Sequence, residues 1–468
     1  MNRRAPLVAL VGVSGISALG LAMTLLAIPW FVLRVSGSGT QTALVAASET
    51  LGLLVSAVFG GPVVDRVGAR RASIGADGLT AMAVVAMPVA HATLGLSLPA
   101  AVVLTFAMGL TRGPADTAKQ VLVAEAIALA GTSVERGTGS FEGGRRIGTM
   151  LGAPLAGALI ATIGPVPVLY VDAAALLLSA VLVLTLVPRP PTAPPPTATS
   201  SDNGYMRHLR DGFRFLRHDR LLLALTAMLL VTNAMDGGLN GVLYPAYGAR
   251  VLHSSTLLGA LVTASGVGAL TGATLYGWTG HRWSRRAVFA LCFAVVGAPR
   301  FLLLAAGPPP ALLLPALVIC GLGSGMLTPV MMAVVYDRIP SRLQGRTLSL
   351  IVACALAAIP VGQLAAGVLL DHVGLAPALL VFGCTYLVAT MFPFTFPVWH
   401  EMDTRRSPRD PKRTTAVRGR RRSPARTDGS GPPIPLRRPA RRGRGPRPRW
   451  REAEADPAAV PDPARRGA

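Results

Sequence analysis

The sequence predicts an all-α membrane protein. Twelve membrane-spanning helices form two six-helix pseudo-repeats, and a disordered basic C-terminal tail follows. Three observations carry this. First, the 468 residues are 51% hydrophobic and only 14% charged, with a mean hydropathy of +0.51. A soluble chain would carry about a quarter charged residues. Second, the apolar residues fall in runs long enough to cross a bilayer, about 20 residues each. Third, segments recur at a constant offset of 210 residues. Leu155–Ile160 echoes Ala365–Leu370, Gly164 and Pro167 match Gly374 and Pro377, and Arg136 matches Arg346. An ungapped repeat of this kind argues for two related halves.

The chain begins with a short basic start, Met1 to Pro6. Spans are expected at 7–33, 41–64, 73–94, 97–118, 143–163 and 166–187. Residues 188–203 are rich in Pro, Thr and Ser and read as a non-helical linker. In 204–218, Tyr205, Leu209, Phe213 and Leu216 fall on one helical face and Arg207, Arg210, Arg214 and Arg217 on another. That pattern suits an amphipathic helix on the inner membrane surface. Six more spans are expected at 220–243, 255–279, 286–306, 311–335, 347–370 and 375–398. The domains are therefore a first half, 1–187, a linker, 188–219, a second half, 220–398, and a tail, 399–468.

The tail holds 20 Arg and Lys against 8 Asp and Glu and few apolar residues, so it has nothing to pack. Arginine-rich tails can bind RNA or anionic lipid. This one has no aromatic platform, and no nucleic-acid partner is expected. The four cysteines, Cys292, Cys320, Cys354 and Cys384, lie in apolar runs without metal-ligand spacing and read as small core residues. The first apolar run is too long for a signal-peptide core and reads as a retained span.

Charge sets the topology. Arg66, Arg70, Arg71, Lys119, Arg136, the arginines of 207–220, Arg282, Arg285, Arg286, Arg338, Arg342 and Arg346 all fall on one side of the predicted spans. The other side has Arg34, Arg250 and Arg300 near span ends. The positive-inside rule then puts both termini in the cytoplasm of a plasma-membrane protein.

The loop after the second span reads Gly60-Gly61-Pro62-Val63-Val64-Asp65-Arg66-Val67-Gly68-Ala69-Arg70-Arg71. As chemistry it is a basic turn with one carboxylate at the membrane edge, where a helix N-terminus or an arginine would hold it. The order Gly61, Asp65, Arg66, Gly68, Arg70, Arg71 resembles the signature loop of the major facilitator superfamily. A faded copy, Gly277 to Arg286, keeps the basic pair and loses the aspartate. In span 5, Gly148, Gly152, Pro154 and Gly157 space small residues for close helix contact around a bend. They resemble the motif of the superfamily's antiporters, with Ala153 inserted and Ala158 in place of the last glycine. Ala27–Leu33, Gly75–Asp77, Val171–Ala174 and Asp211–Leu216 are similar to the drug:proton antiporter branch that includes macrolide-efflux proteins.

Polar residues inside spans are costly and so are candidates for function. Asp236, Asn233 and Asn240 recur at i, i+3 and i+7 and share one face of span 7. That face is expected to meet the first half across a central cavity. Glu49 lies sixteen residues outside Asp65, about 24 Å along a helix. A carboxylate in apolar surroundings holds its proton longer than one in water, which makes Asp236 and Glu49 the candidate proton carriers, Asp236 first. Arg112 joins Asp236, Glu49, Asn233 and Asn240 as a candidate for proton coupling or the substrate cavity, and it is also spaced to pair with Asp116. Asp77, Asp172 and Arg300 are expected near the membrane edges, in structural roles.

The resemblance implies alternating access between the two halves, proton-coupled export of an amphipathic small molecule, and a gate latch through Asp65, with Arg70 reaching Asp116. No nucleotide-binding loop is present, and no cofactor, metal or enzymatic activity is expected. The expected partners are the substrate, protons and membrane lipids, with the chain a monomer. Two other readings stay open from the sequence: an uptake or proton-independent facilitator, and a transporter-like scaffold or sensor.

Overall fold

A computed structural model describes residues 4–95, 97–188, 213–339 and 341–402. Twelve long helices make up its two halves. The first half holds α1 (Ala5–Ser36), α2 (Gly39–Val67), α3 (Ala69–Leu94), α4 (Leu98–Ala130), α5 (Val134–Ile163) and α6 (Pro165–Leu186). The second holds α7 (Arg220–Leu252), α8 (Ser255–Thr279), α9 (Arg285–Ala306), α10 (Pro310–Arg338), α11 (Ser341–His372) and α12 (Leu375–Thr395). Eleven are long and apolar enough to cross a membrane. α2 qualifies as Gly39–Ala57 with Phe59–Val67, across a bend of 58°. Exposed side chains such as Val103, Leu177 and Val181 fit lipid rather than water.

Helix ends follow local chemistry. Ser38, Ser133 and Asp219 cap α2, α5 and α7 by accepting from backbone N–H groups of the first turn. α4 and α5 run well past the expected edges, 118 and 143, because Gly131 in the left-handed region and the Ser133 cap set the real boundary. The turn between α2 and α3 is only Gly68, at φ +87°, so Gly61 to Val67 is helix rather than loop. α7 carries π-turns at Leu239–Leu243 and Gly248–Leu252 on either side of Pro245, whose missing N–H disturbs the ladder. α9 breaks at Gly297, followed by Pro299.

The halves meet at the ends of the helices opposite Arg66, Arg70 and Arg71. We call the two ends the far side and the basic side. Gly39 of α2 lies against Gly367 and Leu370 of α11, and Gly157 of α5 against Ser255 and Gly259 of α8. One apolar cluster, including Trp30, Ala43, Leu258 and Leu370, runs across this junction.

The repeat recurs as structure. Gly157 and Gly367, matched by the offset, occupy the two equivalent crossings. Arg70, at the start of α3, donates to the carbonyls of Leu184 and Val187 at the end of α6. Arg286, at the start of α9, donates to the carbonyl of Pro393 near the end of α12. Each arginine satisfies orphan carbonyls at a helix C-terminus, where the dipole favours a cation.

Two expectations change. Cys384 is exposed, so not all four cysteines are core residues. Of the amphipathic segment only 213–218 is described; it is helical, with Leu216 buried but Phe213 exposed. Most of the linker and the basic tail lie outside the described residues.

Candidate functional site

A cavity of about 500 Å³ lies in the first half between α1, α3, α4 and α5. Ser17, Asp77, Arg112, Asp116, Lys119 and Glu142 are among its walls. Glycine contacts build the polar cluster around Arg112, which forms part of its wall. Any side chain on Gly109 would overlap the Glu49 carbonyl, so α4 touches α2 one turn before Arg112. That brings the Arg112 guanidinium 3.7 Å from the Glu49 carboxylate. It also lies 3.7 Å from Asp172 of α6. Gly20 of α1 leaves the space that Asp172 fills, and Thr24, one turn on, donates to the same carboxylate. All three Arg112 nitrogens and Asp172 Oδ1 are buried without a hydrogen bond among the described residues. Two carboxylates thus share one loosely held guanidinium.

A second cluster sits nearer the basic side. Lys119 Nζ donates to Asp77 Oδ1 at 2.9 Å and to Ser17 Oγ at 2.8 Å. Ser179 Oγ donates to Asp77 Oδ2 at 2.7 Å. Lys119 and Asp77 are almost fully buried. Losing either partner would strand a charge, at a cost of about 3–5 kcal/mol. Asp116, one turn before Lys119, borders the cavity and has no partner among the described residues. At the basic mouth, Glu142 holds Arg145 in a two-point contact of 2.7 and 2.8 Å.

The predicted sites are therefore redistributed. Arg112 pairs with Glu49 and Asp172, not with Asp116, because Asp116 projects into open space one turn away. Arg70 does not reach Asp116, since it is committed to the end of α6. Asp65, Arg66 and Arg71 have no partner among the described residues. The glycines of α5 act as a packing seam: Gly148 lies against Gly15 and Gly152 against Leu19 and Ala22 of α1. Pro154 lies nearby, facing α8 across a shallow recess.

Among the described residues the ion-pair partner of Asp236 comes from its own half. It is Arg300 of α9, whose guanidinium lies 5.0 Å over Phe301 and 5.3 Å over Tyr386. The break at Gly297 turns Arg300 inward, away from the membrane edge where the sequence put it. Asn233 and Asn240 donate to the carbonyls of Leu229 and Asp236, one turn back on their own helix. The surrounding pocket is small, about 140 Å³, and lies within the second half.

Asp77 and Asp172, expected near the membrane edges, are buried within these clusters; Lys119, expected among the cytoplasmic loop charges, is buried within α4, and the sequence gives no sign of the part Thr24 plays. The signal lay in the spacing. Arg112, Asp116 and Lys119 stand at i, i+4 and i+7, one face of one helix.

The profile of the Major Facilitator Superfamily matches residues 10–239 and again 226–459. The multidrug efflux pump Tap of Mycolicibacterium fortuitum is 29% identical over 410 residues, 87% of this chain and 99% of that protein. The multidrug efflux pump Tap of Mycobacterium tuberculosis is 30% identical over 399 residues, 84% of this chain and 94% of the relative. Among solved structures, the nucleoside transporter NupG superposes with a TM-score of 0.69 at 13% identity, covering 85% of this chain and all of that one. A bacterial homologue of the human lysosomal transporter Spinster, in an inward-facing, unoccupied conformation, gives 0.64 at 14% identity, covering 87% and 99%. With two profile matches end to end and a full-length relative at 30% identity, the chain belongs to the Major Facilitator Superfamily.

Proposed function

We propose that the protein exports an amphipathic small molecule across the plasma membrane in exchange for protons. The basic side is cytoplasmic, both termini are inside, and the chain works as a monomer. Arginine bias supports the orientation, and the named function of the full-length relatives supports efflux of drug-like compounds.

The observation that carries the coupling is the shared arginine. Glu49, Asp172 and Arg112 together bear one net negative charge when both carboxylates are ionised. Taking up one proton makes the group neutral, which the low-dielectric interior favours, and releasing it leaves one net charge rather than two because Arg112 offsets the other. Asp236 already has its own arginine, and protonating it would leave the Arg300 charge uncompensated. The carrier is therefore assigned to Glu49 and Asp172, with Arg112 as the group that moves between them. Asp116, open to the cavity, connects this centre to the cytoplasm. Asp65, idle in this state, is the latch for the state closed on the basic side.

The test is dye accumulation in inside-out vesicles with and without an imposed pH gradient. Gradient-driven accumulation by the wild-type chain is expected. Accumulation indifferent to the gradient would favour a facilitator, and none for any of a panel of amphipathic dyes would favour a scaffold. Asp65→Asn should slow switching without loss of folded protein, seen as altered labelling of single cysteines on each side.

A further inference from the structure

Two charged side chains bridge the halves at the far side among the described residues: Arg250 donates to the Gly37 carbonyl at 3.4 Å, and Asp371 makes a closer contact that neither the signature loop nor the proton centre explains. Asp371 ends α11, in the second half. Its Oδ1 accepts from the Gly39 N–H at 2.6 Å, and its Oδ2 from the Thr40 N–H at 2.8 Å and the Ser38 hydroxyl at 2.8 Å. These donors are the cap and first turn of α2, in the first half. The N–H groups there have no intrahelical acceptors, and the helix dipole favours an anion at that end. One carboxylate thus closes three bonds across the two halves. Below it the seam continues without charge: Gly367 against Gly39 and Ala43, then the Thr50 hydroxyl donating to Gln363 at 3.3 Å. The companion seam between α5 and α8 is held by the Ser255 and Thr256 hydroxyls on the Gly157 carbonyl.

We propose that Asp371 is the latch of the far-side gate, holding the halves together there by capping α2 across the junction. Opening the far side separates α11 from α2 and must break all three bonds together. The carboxylate then faces water, as do the freed N–H groups, so the latch is reversible. It stands opposite Asp65 in both position and state: Asp371 is engaged in the conformation seen here, while Asp65 has no partner among the described residues. The two sides of the protein are thus latched by carboxylates from different halves. The seam glycines set how close the halves come. Asp371 sets how long they stay.

Spin labels test this without any substrate. One pair, at Val35→Cys and Val251→Cys, reports the far side; the other, at Val67→Cys and Trp283→Cys, reports the basic side. All four positions are exposed, and Cys292, Cys320, Cys354 and Cys384 are first replaced. Asp371→Asn keeps the shape but presents an amide N–H₂ where an acceptor is needed. It should raise the ratio of far-side-open to far-side-closed protein about tenfold, with matching closure of the basic-side pair. Ser38→Ala removes one of the three bonds and should move both distributions the same way, about twofold. That variant carries the test if Asp371→Asn does not accumulate. Unchanged distributions would overturn the proposal. So would a far side that loosens without closure at the basic side, since Asp371 would then be a local helix cap.

Discussion

The two halves share a scaffold and differ in chemistry. Both seat an arginine from a third helix on the end of a sixth, Arg70 on α6 and Arg286 on α12, and both use a matched glycine at the crossing to the other half. The first half then buries a run of polar groups beside a 500 Å³ cavity: Glu49, Arg112 and Asp172, and nearer the basic side Asp77 with Lys119. The second half pairs Asp236 with Arg300 on aromatic rings beside 140 Å³, and at its basic end buries Arg338 against Asp219 at 2.9 Å. Duplication therefore preserved what positions helices and let the buried charges diverge. The faded signature loop tells the same story: it lost its aspartate but kept the arginine that holds a helix end.

The shared scaffold gives the largest expected effects, equal in both halves. A valine at Gly152 would drive into Ala22 and the Leu19 carbonyl, and one at Gly362, its match at the 210-residue offset, into the Ala234 carbonyl. Each should cost several kcal/mol, a large part of a typical protein's stability, and remove monodisperse protein from detergent extracts. If one half tolerated its valine, the equivalence of the two scaffolds would be broken.

The divergent chemistry should show next, as an asymmetry. Lys119→Met leaves Asp77 buried and unpaired and should cost about 3–5 kcal/mol, read as a fall in thermal unfolding temperature. Arg300→Met leaves Asp236, which is partly exposed, and should cost only about 1 kcal/mol. Equal losses would mean that the second half depends on its ion pair as much as the first. The smallest effects return to the scaffold. Arg70→Ala and Arg286→Ala should each cost about 1 kcal/mol, since the hydrogen bonds lost are charge-assisted but near the surface. A marked difference between them would weaken the structural equivalence that the repeat implies.

The fold was legible because its causes are local. Run length, glycine spacing and arginine bias act through the bilayer, which demands helices and penalises charge at every residue in turn. The Gly148, Gly152 and Gly157 seam was readable for the same reason, as small residues mean close contact wherever they lie. The site was less legible because pairing depends on which helices adjoin. Nothing near Asp236 in sequence announces Arg300, which reaches it only because Gly297 and Pro299 break α9. Nothing near Arg112 announces Asp172, sixty residues on in α6. Helix rotation hides this: a carboxylate seven residues into a span looks peripheral until its helix is seen packed between two others.

If proton coupling resides in the first half, as proposed, gradient-driven transport by paired variants will show it. In inside-out vesicles matched for folded protein, Glu49→Gln and Asp172→Asn should each lower pH-driven dye accumulation at least tenfold, as loss of an essential proton-transfer group does. Asp236→Asn combined with Arg300→Gln, which removes the second-half pair without stranding a charge, should keep accumulation within about threefold of wild type. The reverse pattern, with coupling lost in the Asp236 and Arg300 double variant and retained in Glu49→Gln and Asp172→Asn, would place the proton carrier in the second half instead.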